Sequence, residues 1–161
     1  VEGRGERVTP LPGAIRGEPP GILLVVAPLP VETSVVFAAL AAAGTALNGA
    51  TRTTSEHLAG EFQAGLSAGV LHDRAGILAS ANDLFRATAA IVPAIVPLRR
   101  ALTRLTGRPV GLSGSGPALW ILYPSLAAAI LAETAVRAAL ASGMLAVPGD
   151  GPPFVAATTI R

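Results

Sequence analysis

The sequence predicts an α+β domain, with a mostly antiparallel sheet of about four strands and helices packed on one face. Two observations carry this. Short apolar runs, ILLVVA at 22–27, ALWILY at 118–123 and FVAATT at 154–159, are bounded by Gly or Pro and rich in β-branched and aromatic residues, as strands are. Longer stretches between them place apolar residues at helical spacing: Leu98, Leu102 and Leu105 fall on one stripe, with Arg100 and Arg104 on the opposite face. The 161 residues suit a single domain, 1–161, that buries roughly 70% of its unfolded surface, so no disulfide is needed to hold a core.

The elements follow in order. Residues 7–11 and 22–27 are strand candidates, joined by a connection containing Pro12-Gly13 and Pro19-Pro20-Gly21. Thr33 or Ser34 is placed to cap a helix through Ala43, closed by Gly44. Thr53-x-x-Glu56 has the form of a capping box ahead of Leu58, Phe62 and Leu66. Residues 69–75 support only a loop. A helix begins near Asn82-Asp83 and ends before Pro93; the next spans about 93–105, with Gly107 at its C-terminal end and Pro97 either bending it or marking its start. Strands at 109–112 and 118–123, a helix over about 125–141, a turn at 148–152 and a strand at 154–159 complete the chain.

Composition excludes several kinds of chemistry. With no cysteine and only His57 and His72, the chain offers no thiolate nucleophile and no convincing metal cluster. All 12 basic residues are Arg, so the high pI reflects guanidinium basicity more than excess charge, and the net charge is only +2. Duplex DNA or an anionic membrane calls for denser basic stripes than the one cluster here, Arg99, Arg100, Arg104 and Arg108, which reads as a solvated helix face or as an anion-binding patch. Nucleic-acid and membrane partners are therefore not expected. The apolar run 117–132 is too short to span a bilayer and is broken by Pro124-Ser125. The chain opens on VEGRGER, without Met or an apolar signal core, as expected of the interior of a longer, cytoplasmic protein.

The stretch VGLSGSGPALWILYP sets Ser113, Gly114, Ser115 and Gly116 between two apolar strands. Glycines there allow backbone angles closed to other residues, and successive exposed N–H groups can form a concavity that holds an anion such as phosphate. The other reading is a hairpin loop whose Ser and Gly satisfy turn geometry alone.

In sequence order the chain carries GRGE at 3–6 with Pro10-Leu11, the strand ILLVVAP, the helix VETSVVFAAL, Asn82-Asp83-Leu84 and SGSGP. This order resembles the C-terminal half of the 4-diphosphocytidyl-2-C-methyl-D-erythritol kinases, within the GHMP superfamily of small-molecule kinases. The chain departs from that pattern at Phe85, where Glu is usual, and at Ser34, where Pro is common. The resemblance implies a GHMP C-terminal, ferredoxin-like domain of a nucleotide-binding transferase. Its reaction would be transfer of the ATP γ-phosphoryl group to a hydroxyl of a cytidine-diphosphate-linked methylerythritol, in the non-mevalonate route of isoprene biosynthesis. ATP and Mg2+ are the cofactors implied for the full-length enzyme, with none bound by this chain alone. The family's phosphate-binding ATP loop, catalytic Asp and active-site Lys lie in the N-terminal half, which is the implied partner. No catalytic residue is then expected in this chain, which should be inactive alone and should self-associate through an apolar inter-domain face.

By the same resemblance, Ser113, Gly114, Ser115 and Gly116 close over phosphates, Phe37 stacks on the cytosine ring and Thr33 stands beside it. Plainer roles compete. Phe37 on an amphipathic helix fits the core, and Thr33 fits an N-cap. Asn82 and Asp83 are assigned to starting a helix, His57 to a solvated or hydrogen-bonded position, and Trp120 and Tyr123 to core and rim. A non-catalytic small-molecule binding or regulatory domain of the same fold is the alternative function, since fold does not dictate chemistry.

Overall fold

The computed structural model describes residues 19–43, 56–57, 59–61, 64 and 68–159. The predicted strand at 7–11, the capping Thr53 and the apolar positions 58, 62 and 66 lie outside the described residues.

Four strands form one antiparallel sheet: β1 (Gly21–Val26), β2 (Gly111–Leu112), β3 (Ala118–Tyr123) and β4 (Phe154–Thr159), in the order β2-β3-β1-β4. Alternation along β1 decides the layers. Leu23 pairs with Ile121 and Ala157, and Val25 with Leu119 and Val155, so these side chains share one face. That face carries the core, completed by Ile95, Leu98 and Leu102 of helix α5 (Ile95–Thr106) and by Ala129, Val136 and Ala139 of helix α6 (Leu126–Ala141). Burying a large aliphatic side chain contributes about 1.5–3 kcal/mol, so this layer accounts for most of the apolar driving force.

Local signals end the helices where the sequence places them. Gly107 stands after α5 with φ of 64°, its N–H donating to the Thr103 carbonyl, a left-handed closure that glycine adopts without steric cost. Ser125 caps α6 by accepting from the Ala128 N–H at 3.2 Å. Pro97 does not start α5, which begins at Ile95: it occupies the first turn, where its missing N–H has no intrahelical acceptor to lose. Strand β2 is shorter than the expected 109–112, because the Arg99 Nε donates to the Val110 carbonyl at 2.6 Å and takes that group out of the ladder.

The loop expected at 69–75 is instead helical. Helix α2 (Ala68–Asp73) and helix α3 (Ala75–Ser80) follow one another, with Leu71 and Ala75 buried against Leu122 and beside Ile22 and Trp120. Six-residue helices are too short to be stable by propensity, so tertiary packing on the second face of the sheet sustains them. Gly111 belongs to this arrangement: a Cβ there would lie 2.2 Å from the Trp120 ring, which covers it.

Helix α6 also closes the outer edge of β4. The Glu133 carboxylate accepts from the Ala157 N–H at 2.8 Å, and the Arg137 guanidinium donates to the Val155 carbonyl, so two backbone groups of the edge strand are occupied by side chains. Among the described residues no helix is long and apolar enough to cross a membrane.

Candidate functional site

The SGSGP stretch is the connection between β2 and β3, closed by the Ser113 N–H donating to the Ala118 carbonyl and the Gly116 N–H donating to the Ser113 carbonyl, both at 2.9 Å. Gly114 and Gly116 have φ of 53° and 84°, the left-handed region, and the Gly116–Pro117 bond is cis. At Gly114 a Cβ would meet nothing within 4 Å, so glycine is required there for its backbone angle and leaves the peptide open to approach. Among the described residues, no acceptor meets the N–H of Gly114 or of Ser115. Two unpaired donors in succession, one on the open Gly114 and one on Ser115, which is 8% exposed, are the feature an anion-binding loop needs.

Helix α4 (Leu84–Ile91) and the residues before it lie beneath this loop. The Asn82 side-chain amide donates to the carbonyls of Leu112, at 2.9 Å, and Gly114, at 2.8 Å, while its oxygen accepts from the Leu84 N–H at 2.9 Å. The hydroxyl of Thr88, 0% exposed, lies 3.1 Å from the Ser115 carbonyl and 3.0 Å from that of Leu84. Asn82 thus holds the first N–H of α4 from the position before the N-cap, Asp83, whose side chain makes no cap bond, and it also braces the loop, a second role that its sequence position does not reveal. Thr88 was not singled out by the sequence, since a Thr inside a helical pattern carries no signal of a partner 27 residues away.

Thr33 opens helix α1 (Thr33–Ala42), but the N-cap is Glu32 and no side chain caps it, which overturns the expected capping role of Thr33 or Ser34. The Thr33 hydroxyl instead meets the Ser115 hydroxyl at 2.9 Å. Ser34 turns to the Glu32 carboxylate. Phe37, one turn beyond Thr33 and on the same face, is 53% exposed and so is not a core residue. Only Val36 of α1 is buried. The structure therefore brings Thr33 against the Ser113–Gly116 loop and presents the Phe37 ring to solvent on the same helix.

The arginine cluster divides. Arg99 is turned inward, donating to the carbonyls of Val110 and Ala79 with its guanidinium 4.4 Å over the Phe85 ring; burial pushes its pKa below the ordinary guanidinium value. Arg108 contacts His72 and lies 4.8 Å over the Tyr123 ring. Arg100 and Arg104 remain exposed along a surface groove with Thr103 and Pro109, so the four guanidinium groups do not converge on one point. His57 lies 3.3 Å from the Glu61 carboxylate on the surface. Tyr123 is buried and Trp120 half-buried, consistent with structural roles. Among the described residues, no group of three or more His, Cys, Asp or Glu side chains is placed to hold a metal ion.

The family model described as GHMP kinases C terminal matches residues 63–142, the segment that contains α2 to α6 and the SGSGP hairpin. No curated protein matches the chain. Among solved structures, the crystal structure of homoserine kinase from Cytophaga hutchinsonii ATCC 33406 is similar, with a TM-score of 0.57 and 17% identity over 94% of this chain and 43% of that one. At that identity the similarity speaks for the fold, and this chain spans less than half of the homoserine kinase. Residues 63–142, the segment that matches the GHMP kinases C terminal model, lie on the α+β fold that this chain shares with the homoserine kinase.

Proposed function

We propose that this domain is the C-terminal part of a kinase that transfers the ATP γ-phosphoryl group to a hydroxyl of 4-diphosphocytidyl-2-C-methyl-D-erythritol, in the isoprenoid pathway of the cytoplasm. The observation that carries the reading is the 2.9 Å contact between Thr33 and Ser115, which joins a loop with two unpaired N–H donors to a helix bearing an exposed aromatic ring. Gly114 and Ser115 donate to phosphate oxygens, where charge is redistributed as the bond to the leaving diphosphate breaks and the bond to the acceptor oxygen forms. Phe37 supplies a flat apolar surface for the pyrimidine of the acceptor. Mg2+, when bound, offsets triphosphate charge. The described residues provide no acidic cluster for it, and no step here runs through it.

Phosphoryl transfer of this kind depends on positioning and electrostatics more than on titrating side chains, so a loop of backbone donors is a sufficient contribution from this domain. Val35, left exposed on a different side of α1 from Phe37, belongs to the face that meets the N-terminal kinase half in this reading. The test is turnover of ATP by the full-length protein with the cytidine-linked alcohol or with homoserine as acceptor, and by the 161-residue chain alone. The expected result is turnover with the cytidine-linked acceptor and none by the isolated chain. Turnover with homoserine but not with the cytidine compound overturns the acceptor assignment, and absence of phosphoryl transfer to either favours a binding domain without catalysis.

A further inference from the structure

We propose that Asn82 is a positioning residue that aims the Ser115 N–H at the bound phosphate; this rests on the phosphate-loop reading above. In a trans peptide unit the carbonyl and the following N–H point to opposite sides of the chain. The Gly114 carbonyl and the Ser115 N–H belong to one such unit, and Asn82 holds that carbonyl at 2.8 Å on the α4 side of the loop. The Ser115 N–H is thereby turned to the side away from Asn82. The neighbouring unit is set in the same manner: the Ser113 carbonyl accepts from the Gly116 N–H at 2.9 Å, which turns the Gly114 N–H outward from the hairpin.

Three features make Asn82 suited to this and leave it little freedom. Its amide orientation is determined by its surroundings, because two carbonyls, those of Leu112 and Gly114, meet the NH2 group and one N–H, that of Leu84, meets the oxygen. Both amide donors are used on the hairpin, one at the end of β2 and one inside the loop. Thr88, buried below, holds the next carbonyl, that of Ser115. Left-handed glycines give the loop its path, but glycine is also the residue most able to rotate away from it. A side chain gripping the Gly114 carbonyl from outside the hairpin restricts that rotation. Aspartate at position 82 would remove both donors and set a carboxylate against two carbonyl oxygens, while keeping the acceptor for Leu84.

The experiment compares Asn82→Asp, Asn82→Ala and Gly114→Val in the full-length protein, measuring thermal unfolding, kcat, the KM for ATP and the KM for the acceptor on the same samples. Misaiming one donor that acts in the transition state lowers kcat by about 10²-fold. The expected result is a loss of that order in folded Asn82→Asp, with the acceptor KM unchanged, and a similar loss in Asn82→Ala should the charged variant fail to fold. A folded Asn82 variant with wild-type kcat, alongside a Gly114→Val protein that has lost activity, overturns the positioning role and leaves the phosphate loop standing. Wild-type kcat in folded Gly114→Val overturns the loop reading itself. A fall in melting temperature with kcat per folded molecule unchanged assigns Asn82 to stability alone and also overturns the proposal.

Discussion

Two glycine-rich segments of this chain, 113–117 and 148–152, read alike as sequence and are built to different ends. In the first, Gly114 has no atom within 4 Å of its Cβ position and the loop is held from the α4 side by Asn82 and Thr88; the N–H groups of Gly114 and of the largely buried Ser115 are unpaired among the described residues. In the second, Gly149 presses against Pro28: a Cβ would lie 2.2 Å from the Pro28 carbonyl oxygen, and φ is 111°. The first glycine leaves open space where its side chain would stand. The second lets the segment before β4 lie against the segment after β1. A glycine's purpose is therefore told by what stands at its missing side chain.

The sharpest way to break this contrast is substitution at the two positions. Gly114→Val in the full-length protein should lower kcat by about 10²–10³, roughly 3–4 kcal/mol of transition-state stabilisation, as for loss of one oxyanion donor, while the domain stays folded. Steady-state turnover alongside circular dichroism reads both quantities. Gly149→Ala should do the reverse, costing stability through a strained φ and a backbone collision, about 1–3 kcal/mol for the conformation alone. Its activity per folded molecule should match wild type, and a Gly149→Ala protein that melts like wild type would remove the packing role assigned to that glycine.

A smaller effect tests what joins the loop to α1. The Thr33 and Ser115 hydroxyls, 2.9 Å apart, should show a coupling of about 0.5–1.5 kcal/mol in a double-mutant cycle of Thr33→Val and Ser115→Ala, measured by denaturant unfolding. Additive effects would mean that the contact holds nothing together. The smallest effect concerns the β4 edge, which has no such loop. The Arg137 side chain first, and then the Ala157 N–H, hold the Glu133 carboxyl below the ordinary carboxylate range. A depressed folded value contributes stability above the unfolded pKa, and that contribution is lost as the pH falls through the folded value. Glu133→Gln should therefore be less stable than wild type at neutral pH, and melting curves of the two should converge in acid.

Much of the fold was legible in the sequence because local chemistry carried it. Strands β3 and β4 match the apolar runs at 118–123 and 154–159, and α5 and α6 end or begin at Gly107 and Ser125, residues whose preferences act within one turn. The SGSGP loop was also visible, since glycine and serine between two apolar runs stand out whatever surrounds them. Helices α2 and α3 were not visible, because six residues apiece hold their shape only against Leu122 and its neighbours.

What tertiary structure alone decided is which partners each polar side chain would find. Thr33 had the sequence position of a cap and instead reaches a serine 82 residues away; Phe37 had the spacing of a core residue and lies exposed, because α1 buries only Val36. Asn82 and Thr88 brace the loop across 32 and 27 residues. Helix and strand preferences arise from interactions within a few residues, so a sequence displays them directly. Contacts between distant segments exist only once the sheet has set β2 and β3 beside α4, and no local pattern encodes them.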